Sequence, residues 1–144
     1  MTTYDLTLSN VDHPMYETYI GGGLRVVTKR FNAANRNLAQ NDIAQLIPVK
    51  NGDCVLNVVS RVVTVDAANT FDVGDGATVD GFVDGDTAED LGYSLSSLAG
   101  AEGFAIPKVY AADDTIDLKS LGAAALDGAV IEVSALIWNL QVRG

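Results

Sequence analysis

Cys54-Val55-Leu56-Asn57-Val58-Val59-Ser60-Arg61-Val62-Val63-Thr64-Val65 decides the fold class. Valine is stiff at χ1 and poor in helices but packs well on a pleated surface, so this run predicts a strand. Strict alternation fails, because apolar residues come in pairs such as Val55-Leu56 and Val62-Val63. A bulge, or cover at both ends of the strand, accounts for such pairs. Immediately before it, Lys50-Asn51-Gly52-Asp53 carries the Asn-Gly signal of a tight turn, and Asp42-Ile43-Ala44-Gln45-Leu46-Ile47-Pro48-Val49 is a short strand closed by proline. The two strands are expected to form a hairpin.

The same reading extends in both directions. Leu24 to Phe31 has the β-branched content of a strand, and the asparagine-rich segment Asn32 to Asn37 marks a loop. On the other side, Phe71 to Val73 and Thr78 to Val83 are short strands between Gly-Asp turns. Residues 87–103 are expected to be mostly loop, with room for one short helix between Ala88 and Ala101. Ala105 to Tyr110 and the cleanly alternating Thr115-Ile116-Asp117-Leu118-Lys119 restore strand character, and Ser120 to Gly128 is a small-residue loop. Ala129 to Leu140 closes the chain as a central strand, with Trp138 expected in the core. Roughly seven to nine short strands with regular turn signals predict an all-β fold, a single β-sandwich.

The sandwich is expected over residues 24–144, one domain for a chain of 144 residues. Residues 1–23 lack a steady period and end in Gly21-Gly22-Gly23, which reads as an N-terminal arm with a hinge. Its apolar residues, among them Met15, Tyr16, Tyr19 and Ile20, are too many for a solvated tail. The arm is therefore expected to lie on its own domain, a neighbouring subunit or a larger lattice.

Composition excludes several functions. A net charge of −10 argues against a nucleic-acid partner, because phosphate backbones are gripped mainly by Lys and Arg. The charge is divided along the chain: Thr18 to Asn41 holds Arg25, Lys29, Arg30 and Arg36 and no acid, whereas Asp66 to Asp90 holds eight acids and no base. No apolar stretch approaches the length of a membrane span, so no membrane partner is expected. Cys54, the single cysteine, reads as an inert core thiol.

No enzyme is expected. The one histidine, His13, stands beside Pro14 with no second histidine or cysteine near it, and a general base needs an oriented partner. Neither a nucleophile elbow nor a phosphate-binding glycine loop occurs. The acidic stretch Asp72 to Asp86 lacks the ligand spacing of a calcium loop, and its aspartates read as turn caps. Gly76-Ala77-Thr78-Val79-Asp80-Gly81-Phe82 looks like the uracil-binding hairpin of trimeric deoxyuridine triphosphatases, but the aromatic residue is displaced and the phosphate-handling motifs of that family have no counterpart. No cofactor and no metal are expected.

Three segments taken in order carry a different resemblance: Asp42 to Val49, then Phe71-Asp72-Val73-Gly74-Asp75-Gly76 leading to Asp80-Gly81-Phe82, then Lys108-Val109-Tyr110-Ala111-Ala112-Asp113-Asp114-Thr115-Ile116-Asp117-Leu118. Together they resemble the capsid decoration, or cement, proteins of tailed phages, over about residues 38–142. The resemblance implies a jelly-roll-like sandwich on the outer face of an icosahedral phage head, a virion location, the major capsid protein as partner, and a homotrimer. A tail, fibre-head or host-adsorption module that binds glycans is the alternative. With the charge division, it makes Tyr16, Tyr19, Ile20, Arg25, Lys29, Arg30 and Arg36 the expected capsid or subunit contacts.

Overall fold

The structure, a computed structural model, describes residues 1–9, 11–67, 69–88, 91–95 and 107–139, with backbone alone at 93–95. Eleven strands lie among them: β1 (Thr3–Asp5), β2 (Met15–Gly21), β3 (Leu24–Asn32), β4 (Ile43–Val49), β5 (Asp53–Thr64), β6 (Thr70–Asp75), β7 (Val83–Thr87), β8 (Gly92–Leu95), β9 (Lys108–Val109), β10 (Asp114–Ser120) and β11 (Val130–Asn139). One sheet, here called A, has the order β1-β4-β10-β6-β7; the other, B, has β2-β3-β11-β5-β8, with β9 also paired to β5. Without β1, β2 and β9, the orders are β3-β11-β5-β8 and β4-β10-β6-β7. Numbered along the chain, these eight strands run first, eighth, third, sixth in one sheet and second, seventh, fourth, fifth in the other. That is the order of a jelly roll.

Alternation explains the core. Along β11, Ile131, Val133, Ala135 and Ile137 are fully buried, and they meet Phe31 of β3, Val55 and Val58 of β5, and Leu46, Phe71, Ile116 and Leu118 from sheet A. Each large apolar side chain taken from water there contributes about 1.5–3 kcal/mol. The paired apolar residues of β5 are resolved by two bulges. Against β11 the register skips Leu56 and then Val63, so each pair sends one residue inward without breaking the ladder.

Five expectations are corrected. β4 and β5 do not form a hairpin, because β4 is already flanked by β1 and β10 and β5 by β11 and β8; the Asn-Gly turn carries the chain from one sheet to the other. Thr78 to Val83 is not a strand but a wound turn, and β7 begins only at Val83. A Cβ on Gly74 would fall 2.1 Å from the Thr78 carbonyl oxygen, so only glycine lets that turn fold back over β6. Gly21-Gly22-Gly23 is the turn of the β2–β3 hairpin rather than a hinge, all three residues holding positive φ. Residues 1–23, expected as an arm ahead of the domain, enter both sheets: β1 pairs parallel to β4 and β2 antiparallel to β3. Within the stretch where a short helix had room, β8 is a strand, and residues 89–90 and 96–106 lie outside the described residues.

Candidate interaction surface

Strand parity divides the expected contact residues. Arg25, Val27, Lys29 and Phe31 alternate along β3 on the side that faces sheet A, while Leu24, Val26, Thr28 and Arg30 face outward. Lys29 is therefore completely buried, and its ammonium donates to the Ser9 carbonyl at 2.8 Å. Burial pushes its pKa down, with Asp5 opposing. Lys29 is withdrawn as a surface contact. Arg25 is likewise committed within the fold, its guanidinium 3.0 Å from buried Asp53 and 3.2 Å from Glu17. Asp53 also accepts from the Lys50 amide and the Asn139 side chain, which ties the ends of β5 and β11 together.

The other expected residues reach the surface. Arg30 and Arg61 flank Glu132 at 3.5 Å and 3.6 Å across the outer face of sheet B, two cations on one carboxylate. Arg36 lies over the Tyr4 ring, 4.8 Å from its centre. Tyr16, Tyr19 and Ile20 stand on β2 at 60%, 70% and 61% exposure.

One surface residue escaped the reading of the sequence. Trp138 was expected in the core, but it alternates with Ile137 and is 43% exposed, its indole N–H donating to the Gly22 carbonyl at 3.1 Å. The parity of Ile131 to Ile137 was the available signal. Register places Leu24, Trp138, Cys54 and Val109 in one row, and Val26, Leu136 and Asn57 in the next, across the outer face of sheet B. The end of this face at Leu24, Trp138, Cys54 and Val109 is apolar, and beyond it come the polar Thr28–Ser134 pair and the Arg30–Glu132–Arg61 row.

The outer face of sheet A has the opposite character. A row of Asp5, Gln45, Asp117 and Gly74 crosses it, with Asp72 beside Lys119 in the next. Asp117 is buried and accepts from the Thr115 hydroxyl at 2.6 Å. Burial, reinforced by Asp114, Asp75 and Asp5, pushes its pKa up to about 7. Burial also raises Asp72, against a hydrogen bond from the Gly85 amide. The division of charge along the chain does not carry over to the two faces: of the four basic residues only Arg30 lies on the outer face of sheet B, and Asp5 and Asp117 of the acidic row come from outside the acidic stretch.

The remaining titratable groups serve structure. His13 is buried and stacks on Phe31 with ring centres 5.4 Å apart. Its Nδ1 accepts from the Asn32 amide, and burial together with Lys29 holds its pKa down, so the ring is neutral. Asp75 takes the Ala77 and Thr78 amides on one oxygen and Lys108 and Tyr110 on the other. Burial opposes its charge, but Lys108, Thr78 and Tyr110 outweigh that and hold the carboxyl low. The same burial, with Asp75 alongside, drives the Tyr110 hydroxyl far above its usual pKa. Asp75 therefore caps a turn, as the acidic stretch suggested, whereas Asp72 bonds across to the Gly85 amide of the neighbouring strand β7. Burial raises the Cys54 thiol. Among the described residues no group of three or more histidine, cysteine or acidic side chains is placed to hold a metal ion. An open cleft beside β8 is lined, among the described residues, by Arg61, Val62, Val63, Leu91 and Gly92, none of them a nucleophile.

No protein-family model matches the chain, and neither does any curated protein sequence. Three solved structures do match in fold. A chain in the capsid of Ralstonia phage GP4 superposes with a TM-score of 0.60 at 16% identity, covering 87% of this chain and 90% of that one. A chain in the acid-stable capsid structure of Helicobacter pylori bacteriophage KHP30 gives 0.60 at 14% identity, covering 86% and 92%. One in the cyanophage Pam1 capsid asymmetric unit gives 0.56 at 13%, covering 84% and 88%. The jelly roll of this chain is a fold found in phage capsids, over nearly its whole length.

Proposed function

We propose that the chain is a non-enzymatic structural protein of a phage particle that docks on the outer surface of the icosahedral head and stabilises the shell. The observation that carries this reading is the whole-length likeness in fold to chains of three phage capsid structures. The faces of the sandwich agree with it: the half-exposed apolar end of the outer face of sheet B, with Trp138 and Val109 on it, suits burial against a fixed protein surface. A protein that binds only the assembled, expanded shell stabilises that shell by its binding free energy. The docked unit is a homotrimer, seated on the major capsid protein at local three-fold positions.

The test is co-sedimentation of purified chain with expanded heads and with compact procapsids of the parent phage. Saturable binding to expanded heads alone supports the proposal, and binding to neither overturns it.

Exposed Trp138, Tyr16 and Tyr19 favour a second reading, a glycan-binding host-adsorption module, since aromatic faces stack on sugars. It ranks lower because the indole N–H of Trp138 is already spent on Gly22. Specific hits on a glycan array, lost in Trp138→Ala, would reverse that ranking.

A further inference from the structure

We propose that His13 is a proton-operated clasp: neutral, it holds the N-terminal segment against β3, and protonated, it lets that segment lift away. Such a clasp goes beyond the capsid reading and does not depend on it.

The segment that leads from β1 to His13 is held at few points. β1 pairs with β4 over three residues, the one parallel pairing among the described strands. Leu6 and Thr7 are buried, but Leu8 and Val11 stand almost fully in solvent. Beneath the segment lies a charge: the buried Lys29 ammonium donates to the Ser9 carbonyl at 2.8 Å. The firm contact is at His13, which is 2% exposed and stacked on Phe31. Its Nδ1 accepts from the Asn32 amide at 3.1 Å, and beside it the Pro14 carbonyl accepts from the Arg30 amide at 2.9 Å.

Only the neutral ring can make that bond. An imidazolium carries a proton on both nitrogens, so Nδ1 would meet the Asn32 amide donor against donor. It would also place a second cation close to Lys29. Around the ring, Lys29 on β3 and Arg36 in the loop after it oppose protonation, and Asp12, its neighbour in sequence, favours it. Asp5 on β1 is already taken up by the Thr7 hydroxyl and amide and by the Lys29 charge. Once the segment lifts, the ring enters water and protonates as an ordinary histidine. The hold is therefore complete above about pH 6.5 and weakens as pH falls below it. At pH 5 a free histidine favours its protonated form roughly thirty-fold, which sets the upper limit on the gain in opening.

Amide hydrogen exchange of the full chain tests the clasp. The Leu6 amide, bonded to the Gln45 carbonyl, reports on lifting of the segment, and the Asn32 amide on the clasp itself. After correction for intrinsic rates, both should exchange about five- to thirty-fold faster at pH 5 than at pH 7.5, while the amides of β11 stay protected. In His13→Asn, whose side-chain oxygen can still accept from Asn32 but does not titrate, the acceleration should vanish. In His13→Phe, which keeps a ring on Phe31 without the acceptor, exchange should already be fast at pH 7.5 and gain nothing at pH 5. No acceleration in the wild type, acceleration at Asn32 without Leu6, or an equal loss of protection in β11 overturns the proposal. So does an acid step that persists in a folded His13 variant; should His13→Asn fail to fold, His13→Phe decides.

Discussion

Lys108 on β9 of sheet B reaches through the sandwich to Asp75 on β6 of sheet A, its ammonium 2.5 Å from the carboxylate. The pair ties the two sheets at the end where the 76–82 turn folds back. Asp75 is the hub, since the same carboxylate also caps that turn and accepts from Tyr110.

Replacing Lys108 by Met strands that carboxylate in the interior and should destabilise the fold by about 3 kcal/mol, read from chemical denaturation. Asp75→Asn added to Lys108→Met removes the orphaned charge while its side-chain oxygen can still accept the turn amides, and should recover part of the loss. A double variant no more stable than Lys108→Met would contradict this account of the pair.

Asp117 sets the pH dependence between about 4 and 7. Its folded pKa, raised to about 7, exceeds that of the unfolded chain, so its protonated form is the one the fold prefers. The stability is fully present below the unfolded value and is lost as pH rises through 7. Asp72 acts in the same direction and His13, whose pKa is lowered, in the opposite one. The difference between wild type and Asp117→Asn isolates the contribution. Asp117→Asn should raise the melting temperature at pH 8, by the equivalent of roughly 1–3 kcal/mol, and have little effect near pH 4. An equal loss at both pH values would refute this.

Charge reversal at Lys29 and at Arg30 should have unlike consequences, although the two are neighbours in sequence. Lys29→Glu places an unpaired carboxylate in a site with no solvent exposure and should cost at least about 3 kcal/mol of stability. Arg30→Glu, on the outer face, should leave the melting temperature nearly unchanged. Similar thermal shifts for both would show that β3 lies with the opposite parity.

Intrinsic fluorescence reports on the outer face of sheet B, because Trp138 is the only tryptophan. In the free protein its emission should be that of a partly solvated indole, readily quenched by acrylamide. Addition of expanded heads should shift the emission to the blue and protect it. Full protection in the free protein would mean that this face is already covered.

What could be read in advance was local. The paired valines of β5 announced its bulges, and Thr115 to Lys119 announced β10 by plain alternation. The burial of Lys29 was also within reach, since it shares parity with Val27 and Phe31; charge was weighed there before side. Trp138 went the other way for the same reason, being grouped with the apolar run around it rather than with the outward set. The turn after Gly74 was not legible as such, because its geometry depends on backbone from Thr78 and Val79 packing against a missing Cβ. The crossing between β4 and β5 was hidden for a further reason. An Asn-Gly turn is a local signal, whereas the sheet each strand joins is settled by β10 and β11, more than fifty residues later. The Lys108–Asp75 tie is equally non-local.

An electron cryomicroscopy map of the parent phage particle tests the central claim most directly. The account predicts density for this jelly roll on the outer surface of the head, three copies around each local three-fold position, with sheet B in contact. Density for the chain in the tail or fibres, or its absence from the head, would contradict it.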